Sequence, residues 1–250
     1  RKVDVELSPG WHQLQLSGGF WYDGECDHCC WSHDFPFEVE LGFGTHSQRT
    51  DATDIPGKFS CPTAESEYLM LEISDGQFWL GTPPNVPIND GDSQHSVQIS
   101  MPFVIARTEV TQQLYTKVMG NNPSENQSPQ LPVDSVSWFD AIEFCNRLSK
   151  KQGYTAAYQY KNQRLVWDRE ADGFRLPTEA EWEYGARADK DYLFSGAHDP
   201  KDVSWFGDNS DYKPQKVGLR KPNDFGLQDM SGNVWEWCYD GFSKYPSNSV

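Results

Sequence analysis

Apolar and polar positions follow two periods along this chain. Up to about Gly44 they alternate: VDVEL, WHQLQL and FEVEL place apolar side chains at every second residue, with Ser8-Pro9-Gly10 and Gly42 as punctuation. A period of two predicts short half-buried strands, so this stretch reads as a small antiparallel β unit. Between Thr45 and Ala64 the pattern dissolves into polar, turn-forming residues, as in a linker or long surface loop. From Tyr68 alternation resumes in YLMLEI, a turn at Asp75-Gly76, and FWLG. An acidic loop from Asn89 to Ser93 follows, and then the strand-like VQISMPFVIA. The boundary falls near Glu65, giving a cysteine-bearing β-rich module with linker over 1–64 and a larger domain over 65–250.

Three segments switch to a helical period. Thr111 is placed to cap a helix running through Met119 and stopping at Gly120. Ser137 is placed to cap a second, which carries Trp138, Ala141, Ile142, Cys145 and Leu148 on one face and ends at Gly153. In the third, Thr178 follows Pro177 and precedes Glu181 by three residues, a capping box for TEAEWEYGAR. Glu179, Glu181 and Glu183 therefore read as capping and dipole groups rather than as an acid–base pair. After Ala188 no period persists, and the chain becomes a Gly-, Asn-, Asp- and Trp-rich coil.

Composition changes this picture in two respects. Ten Trp, 11 Tyr and 14 Phe among 250 residues, with 20 Gly and 16 Pro, point to loops pinned by large rings rather than to an aliphatic bundle. The formal net charge of −16 would repel phosphate backbones and anionic lipid surfaces, which sets nucleic acid aside as a partner. No apolar run approaches the length needed to cross a bilayer. The chain starts at Arg1 and carries no basic-then-apolar leader, as a processed or trimmed fragment would.

Six cysteines divide into two sets. Cys26, Cys29, Cys30 and Cys61 suit two disulfides or a four-thiolate zinc site, to which His28, His33 and His46 add ligands; disulfides are the favoured reading because Cys61 has no neighbouring cysteine. Cys145 and Cys238 read as packed thiols. The scattered histidines form no nucleophile context.

Several separated motifs occur in a recognisable order: Gly76-x-Phe78-Trp79-x-Gly81, Glu109-Val110-Thr111, Pro132-Val133-x-x-Val136-Ser137-Trp138 with Asp140-Ala141, the RLPTEAEWE stretch from Arg175, Pro222-Asn223 before Gly226-Leu227, and Gly232-Asn233-Val234-Trp235-Glu236-Trp237. From about Glu65 onward the chain thus resembles the formylglycine-generating-enzyme, or sulfatase-modifying-factor, family. The resemblance implies an α+β, coil-rich variant of the C-type-lectin fold. More weakly, Pro9-Gly10-Trp11-His12 is similar to the small PEGA-type β-sandwich modules of bacterial surface proteins.

Independently of the resemblance, the stretch from Asp229 to Glu236 gathers two carboxylates, an amide and closely spaced carbonyls, the hard oxygen donors that calcium takes; the other reading is a turn held by hydrogen bonds alone. By resemblance the family's calcium site falls on the Asp229 side chain, the Gly232 and Val234 carbonyls and the Glu236 carboxylate. A second site in some relatives would fall near Asp208, Asn209 and Asp211. Catalytic relatives use oxygen and copper held by two cysteines in a stretch beyond the GNVWEW motif. This chain ends at Val250, before that stretch, and neither Cys145 nor Cys238 matches a catalytic position, so no catalytic residue carries over; the natural protein is expected to continue past Val250. The expectation is a non-catalytic, calcium-stabilised binding or scaffold domain of a secreted or cell-surface bacterial protein, with a protein or other surface ligand as partner. The alternative is a copper-dependent oxidase that makes formylglycine from a cysteine of a sulfatase-like partner.

Overall fold

A computed structural model describes residues 3–5, 12–13, 68–82 and 94–241. Cys26, Cys29, Cys30 and Cys61, with the disulfide or zinc reading placed on them, lie outside the described residues.

Short strands form two principal sheets. β1 (Val3–Val5), β4 (Gly76–Leu80) and β5 (His95–Ile99) make one, in the order β1-β5-β4. β2 (His12–Gln13), β3 (Met70–Ile73), β6 (Phe103–Ala106) and β9 (Phe174–Arg175) make the other, in the order β3-β6-β2-β9. The alternating YLMLEI and FWLG segments become β3 and β4 as expected. VQISMPFVIA breaks instead at Ser100–Pro102 into β5 and β6, which enter different sheets. Pro102 has no N–H to give a ladder, so a break there costs little. The N-terminal strands also depart from the expected antiparallel unit. β1 runs parallel to β5, and β2 runs parallel between β6 and β9. Alternation fixes which face of a strand is buried, but it names neither partner nor direction.

The helices begin and end where their caps dictate. In α1 (Gln112–Met119) the Thr111 hydroxyl accepts from Leu114 N at 3.2 Å, and Gly120 closes the helix at φ 87°. Ser137 and Asp140 form a capping box on α2 (Trp138–Gln152), which ends at Gly153 with φ 83°. Thr178 and Glu181 do the same for α3 (Glu179–Arg187). Each reciprocal pair satisfies two backbone donors that a helix start would otherwise leave bare.

The sequence reading misses β7 (Tyr158–Lys161) and β8 (Arg164–Trp167), an antiparallel hairpin, and two single-turn helices, α4 (Pro200–Val203) and α5 (Gly207–Ser210). One apolar core joins both principal sheets to α1, α2 and α3. Rings occupy much of it: Tyr184 packs against Phe78 at 5.2 Å, Phe225 at 5.6 Å and Phe103 at 6.5 Å. Cys145 is a buried thiol on the apolar face of α2, as expected, and Cys238 packs against the same core.

α3 is tied down by charge as well as by caps. Arg175 makes two bonds to the Glu181 carboxylate, at 2.8 and 2.7 Å, and both side chains are fully buried. Glu181 also accepts from Thr178 N at 2.7 Å, while the Arg175 guanidinium lies 4.7 Å from the centre of the Trp167 ring. Glu183 pairs with Arg187 and accepts from Gly81 N at 2.9 Å, which joins α3 to the end of β4. These acids are structural, in line with their reading as helix-stabilising groups.

Candidate functional site

The stretch from Asp229 to Glu236 has no regular period because its backbone repeatedly enters the left-handed region. Asp229 sits at φ 58°, Gly232 at 87° and Asn233 at 65°. Asp and Asn tolerate this conformation better than most residues, while glycine has no Cβ to object. At Gly232 the requirement is doubled, since a Cβ there would lie 2.1 Å from the Trp205 carbonyl oxygen. That close approach holds the turn against the segment preceding α5, where Asn233 N donates to Trp205 O at 2.8 Å.

Three segments meet around the Asp229 carboxylate. Gln228 N donates to Arg107 O at 2.9 Å, which lays the turn beside the exit of β6. Gly218 N donates to Asp229 Oδ2 at 2.5 Å, and Gln228 Nε2 donates to Gly218 O at 3.0 Å. Asn233 exchanges bonds with Gln215 through Oδ1 (2.8 Å) and Nδ2 (3.2 Å). Asp229 is 2% exposed, and its Oδ1 has no hydrogen-bond partner. Burial is the chief reason its carboxyl is pushed up to about 6; the Gly218 amide, Arg220 and Arg107 act in the opposite direction.

The neighbour that the sequence reading did not select is Glu109. It belongs to the Glu109-Val110-Thr111 motif, where an acid three residues past β6 and two before a helix cap gives no local sign of burial. It is 2% exposed, and neither carboxylate oxygen has a hydrogen-bond partner. Burial first, and then the charge of Asp229, hold it well above the usual carboxylate range; Asn233 lies near enough to favour the charged form without meeting hydrogen-bond geometry.

Of the four positions expected to hold calcium, Asp229 and Glu236 are buried, and Gly232 and Val234 are half-buried between them. Among the described residues no group of three His, Cys, Asp or Glu side chains forms a ready metal cluster, so a cation here would need backbone oxygens as well. At the second expected position Asp208 and Asp211 are exposed. Asn209 spends its amide on α5, accepting from Phe206 N at 2.8 Å and donating to Ser204 O at 3.1 Å.

The outer side of the same stretch is aromatic. Trp235 and Trp237 flank buried Glu236 and are 39% and 36% exposed, and Phe139 on the first turn of α2 is 61% exposed. Trp237 is fixed by a bond from its Nε1 to Val136 O at 3.0 Å, and Trp138 Nε1 donates to Cys238 O at 2.8 Å. The two indoles thus staple the start of α2 to the end of the turn. Tyr239 continues the ring packing inward, with Trp167 at 4.9 Å and Tyr158 at 5.8 Å.

Comparison with known proteins agrees with this architecture. The chain is 35% identical over 184 residues to a protein named chaperone protein LppX from Paenibacillus barcinonensis, covering 59% of this chain and 66% of that one. It is 32% identical over 130 residues to the formylglycine-generating enzyme of Streptomyces coelicolor, covering 46% of this chain and 34% of the enzyme. An inactive formylglycine-generating enzyme 2 from Bos taurus matches at 31% identity over 43% of this chain and 32% of its own length. The chain therefore spans about two thirds of the LppX protein and about a third of these enzymes. Among solved structures, Treponema denticola variable protein 1 superimposes with a TM-score of 0.66 at 34% identity, covering 73% of this chain and 76% of that one. PvdO from Pseudomonas aeruginosa gives 0.54 at 25% identity, covering 70% and 72%. The profile of the sulfatase-modifying factor enzyme 1-like domain matches residues 58–249, and the chain belongs to that family, with the mixed α and β architecture of its members.

Proposed function

We propose that this chain is a non-catalytic binding domain whose irregular half is held by a calcium ion at the Asp229–Glu236 turn, and that it works outside the cytoplasm on a protein or other surface ligand. The observation that carries the reading is the two-sidedness of the turn. Buried acids, Asp229 and Glu236, lie beneath it, and the half-exposed indoles of Trp235 and Trp237 lie on top. A cation bound below rigidifies the backbone that presents the rings above, and pre-set rings lose little freedom on meeting a ligand. Phe139 extends the apolar surface.

The side chain of Asp229, the carbonyls of Gly232 and Val234 and the carboxylate of Glu236 would hold the ion. The unpartnered Asp229 Oδ1 and the hard oxygen chemistry of the set fit calcium. In this reading calcium has a structural role. Cys145 is buried, and burial holds its thiol well above the usual range, the opposite of what a copper-binding thiolate needs. The relative named as a chaperone and the inactive relative are in keeping with a domain that holds another molecule rather than transforming it.

Calcium bound only by the folded state stabilises it by mass action, so a chelator is expected to lower the melting temperature and added calcium to restore it. Absence of a shift, together with no calcium in the purified protein, sinks the cation half of the reading. Incubation with copper, oxygen and a cysteine-bearing sulfatase peptide is expected to leave the peptide mass unchanged. Conversion of the cysteine to the aldehyde would establish the oxidase instead.

A further inference from the structure

The β7–β8 hairpin takes no part in the site described above. It leaves the body at buried Tyr158 and Trp167, and every residue from Tyr160 to Arg164 is exposed, Tyr160 at 67%. Its tip is built against its own stability. Lys161 and Arg164 lie directly opposite each other, and like charges in that position oppose the pairing of the strands. The turn between them holds Asn162 and Gln163 at φ 50° and 62°, a conformation that glycine adopts with less strain than glutamine. Among the described residues neither cation of the tip has an ion pair, although acids outnumber bases 37 to 21 in the chain and Arg147, Arg175, Arg187, Lys190 and Lys221 each meet one.

One edge of the hairpin is also unfinished. Asp168 N donates to Ala157 O at 2.8 Å, and hydrogen-bonded pairs alternate along an antiparallel ladder. Gln159 and Lys161 therefore bond across to Val166 and Arg164, while the backbone groups of Tyr158 and Tyr160 point outward. At Tyr158 the Asn146 carboxamide stands in for a neighbouring strand, donating to Tyr158 O at 2.9 Å and accepting from Tyr158 N at 3.1 Å. At Tyr160 the same edge is open. We propose that an acidic, extended segment of a partner protein adds as a strand along β7 beyond Asn146. Its backbone bonds to Tyr160, its carboxylates face Lys161 and Arg164 on one side of the ribbon, and its apolar side chains lie against the Tyr160 ring on the other. Main-chain bonds give such a complex its affinity, and side chains on alternate faces give it specificity. Charge selects the occupant. The net −16 of the chain repels a long polyanion such as a nucleic acid or an anionic membrane, whereas a short segment meets only the tip. Strands of four residues rise about 13 Å, more than the screening length of about 8 Å at physiological salt. A second copy of the same hairpin would set cation against cation. The inference does not rest on the calcium reading.

The test is fluorescence anisotropy of a short fluorescein-labelled peptide of alternating Glu and Val, titrated with the intact chain. Wild type is expected to bind it and to ignore the matching Lys–Val peptide. Lys161→Glu is expected to weaken binding by at least about fivefold and, at the same time, to leave the melting temperature unchanged or higher, because Glu opposite Arg164 replaces a repulsion with an attraction. A merely structural Lys161 would move stability and binding down together. The Glu–Val peptide with methylated backbone nitrogens keeps its carboxylates but cannot donate to an edge, and it is expected to bind at least about fivefold more weakly. No binding by wild type, equal binding of the Lys–Val peptide, or undiminished binding to Lys161→Glu overturns the inference. Equal binding of the methylated peptide overturns strand addition, and equally tight binding of phosphatidylglycerol vesicles or of a single-stranded oligonucleotide replaces the protein partner with a general polyanion.

Discussion

Arg175 and Glu181 show how much of this fold hangs on single residues. Both are fully buried, the arginine donates two hydrogen bonds to the carboxylate, and the same carboxylate accepts a further one from the Thr178 amide. Glu181→Gln keeps the shape but leaves the guanidinium buried without its counter-charge, so a loss of about 3–5 kcal/mol is expected in urea unfolding. Replacing both partners with apolar residues of similar volume is expected to cost much less, because the penalty comes from the stranded charge rather than from the missing attraction. Gly232 is the second such position. Gly232→Ala meets both a φ of 87° and the Trp205 carbonyl, and it is expected to cost at least about 2 kcal/mol in the same measurement. Neither partner choice is visible in the sequence: RLPTEAEWE displays the capping box, but nothing local says that Arg175 turns inward to meet it.

Among the elements, the three capped helices and the strands β3 and β4 were legible, while the hairpin, the single-turn helices and the pairing of the N-terminal strands were not. Thr111, Ser137 and Thr178 announce their helices because capping is settled within four residues, and the stops at Gly120 and Gly153 follow from the left-handed conformation that glycine accepts. Thr178→Ala removes one side of the α3 box and is expected to lower stability by about 1 kcal/mol, readable as a lower urea midpoint at unchanged slope. The β7–β8 hairpin escaped because its two-residue turn is Asn162-Gln163, with φ of 50° and 62°, where sequence reading looks for a glycine. β1 and β2 fall where strands are expected, but their pairing escaped in another way. Their alternation is plain, but parallel partners from β5, β6 and β9 lie far along the chain, and no local pattern names them. At the candidate site, density of oxygen donors drew attention to Asp229 and Glu236, both of which are buried. Glu109 stayed hidden because its burial is created by residues more than a hundred positions away.

For the molecule as a whole, buried acids impose a dependence on pH. Asp229 is raised to about 6 chiefly by burial, and Glu109 is raised as well by burial and by Asp229. A carboxyl held above its unfolded value binds its proton more tightly in the folded state. Its stabilising contribution is therefore complete below the unfolded value and is lost as pH climbs through the folded one. The metal-free protein is accordingly expected to melt at a lower temperature at about pH 7.5 than at about pH 5. Calcium is expected to flatten that fall by taking the place of the protons. A metal-free melting temperature that rises over this interval would mean that other groups dominate the titration.

The crossed indole bonds, Trp237 to Val136 and Trp138 to Cys238, have a mechanical consequence. Each ties a loop to the residues that open α2, where Ser137 caps the helix. A molecule settling on Trp237 would pull on a latch whose other end is a helix start, so contact at the rim would register in the interior. Tryptophan emission and amide exchange at the first turn of α2 should then change together, reporting the encounter at Trp237 from the backbone of the helix start.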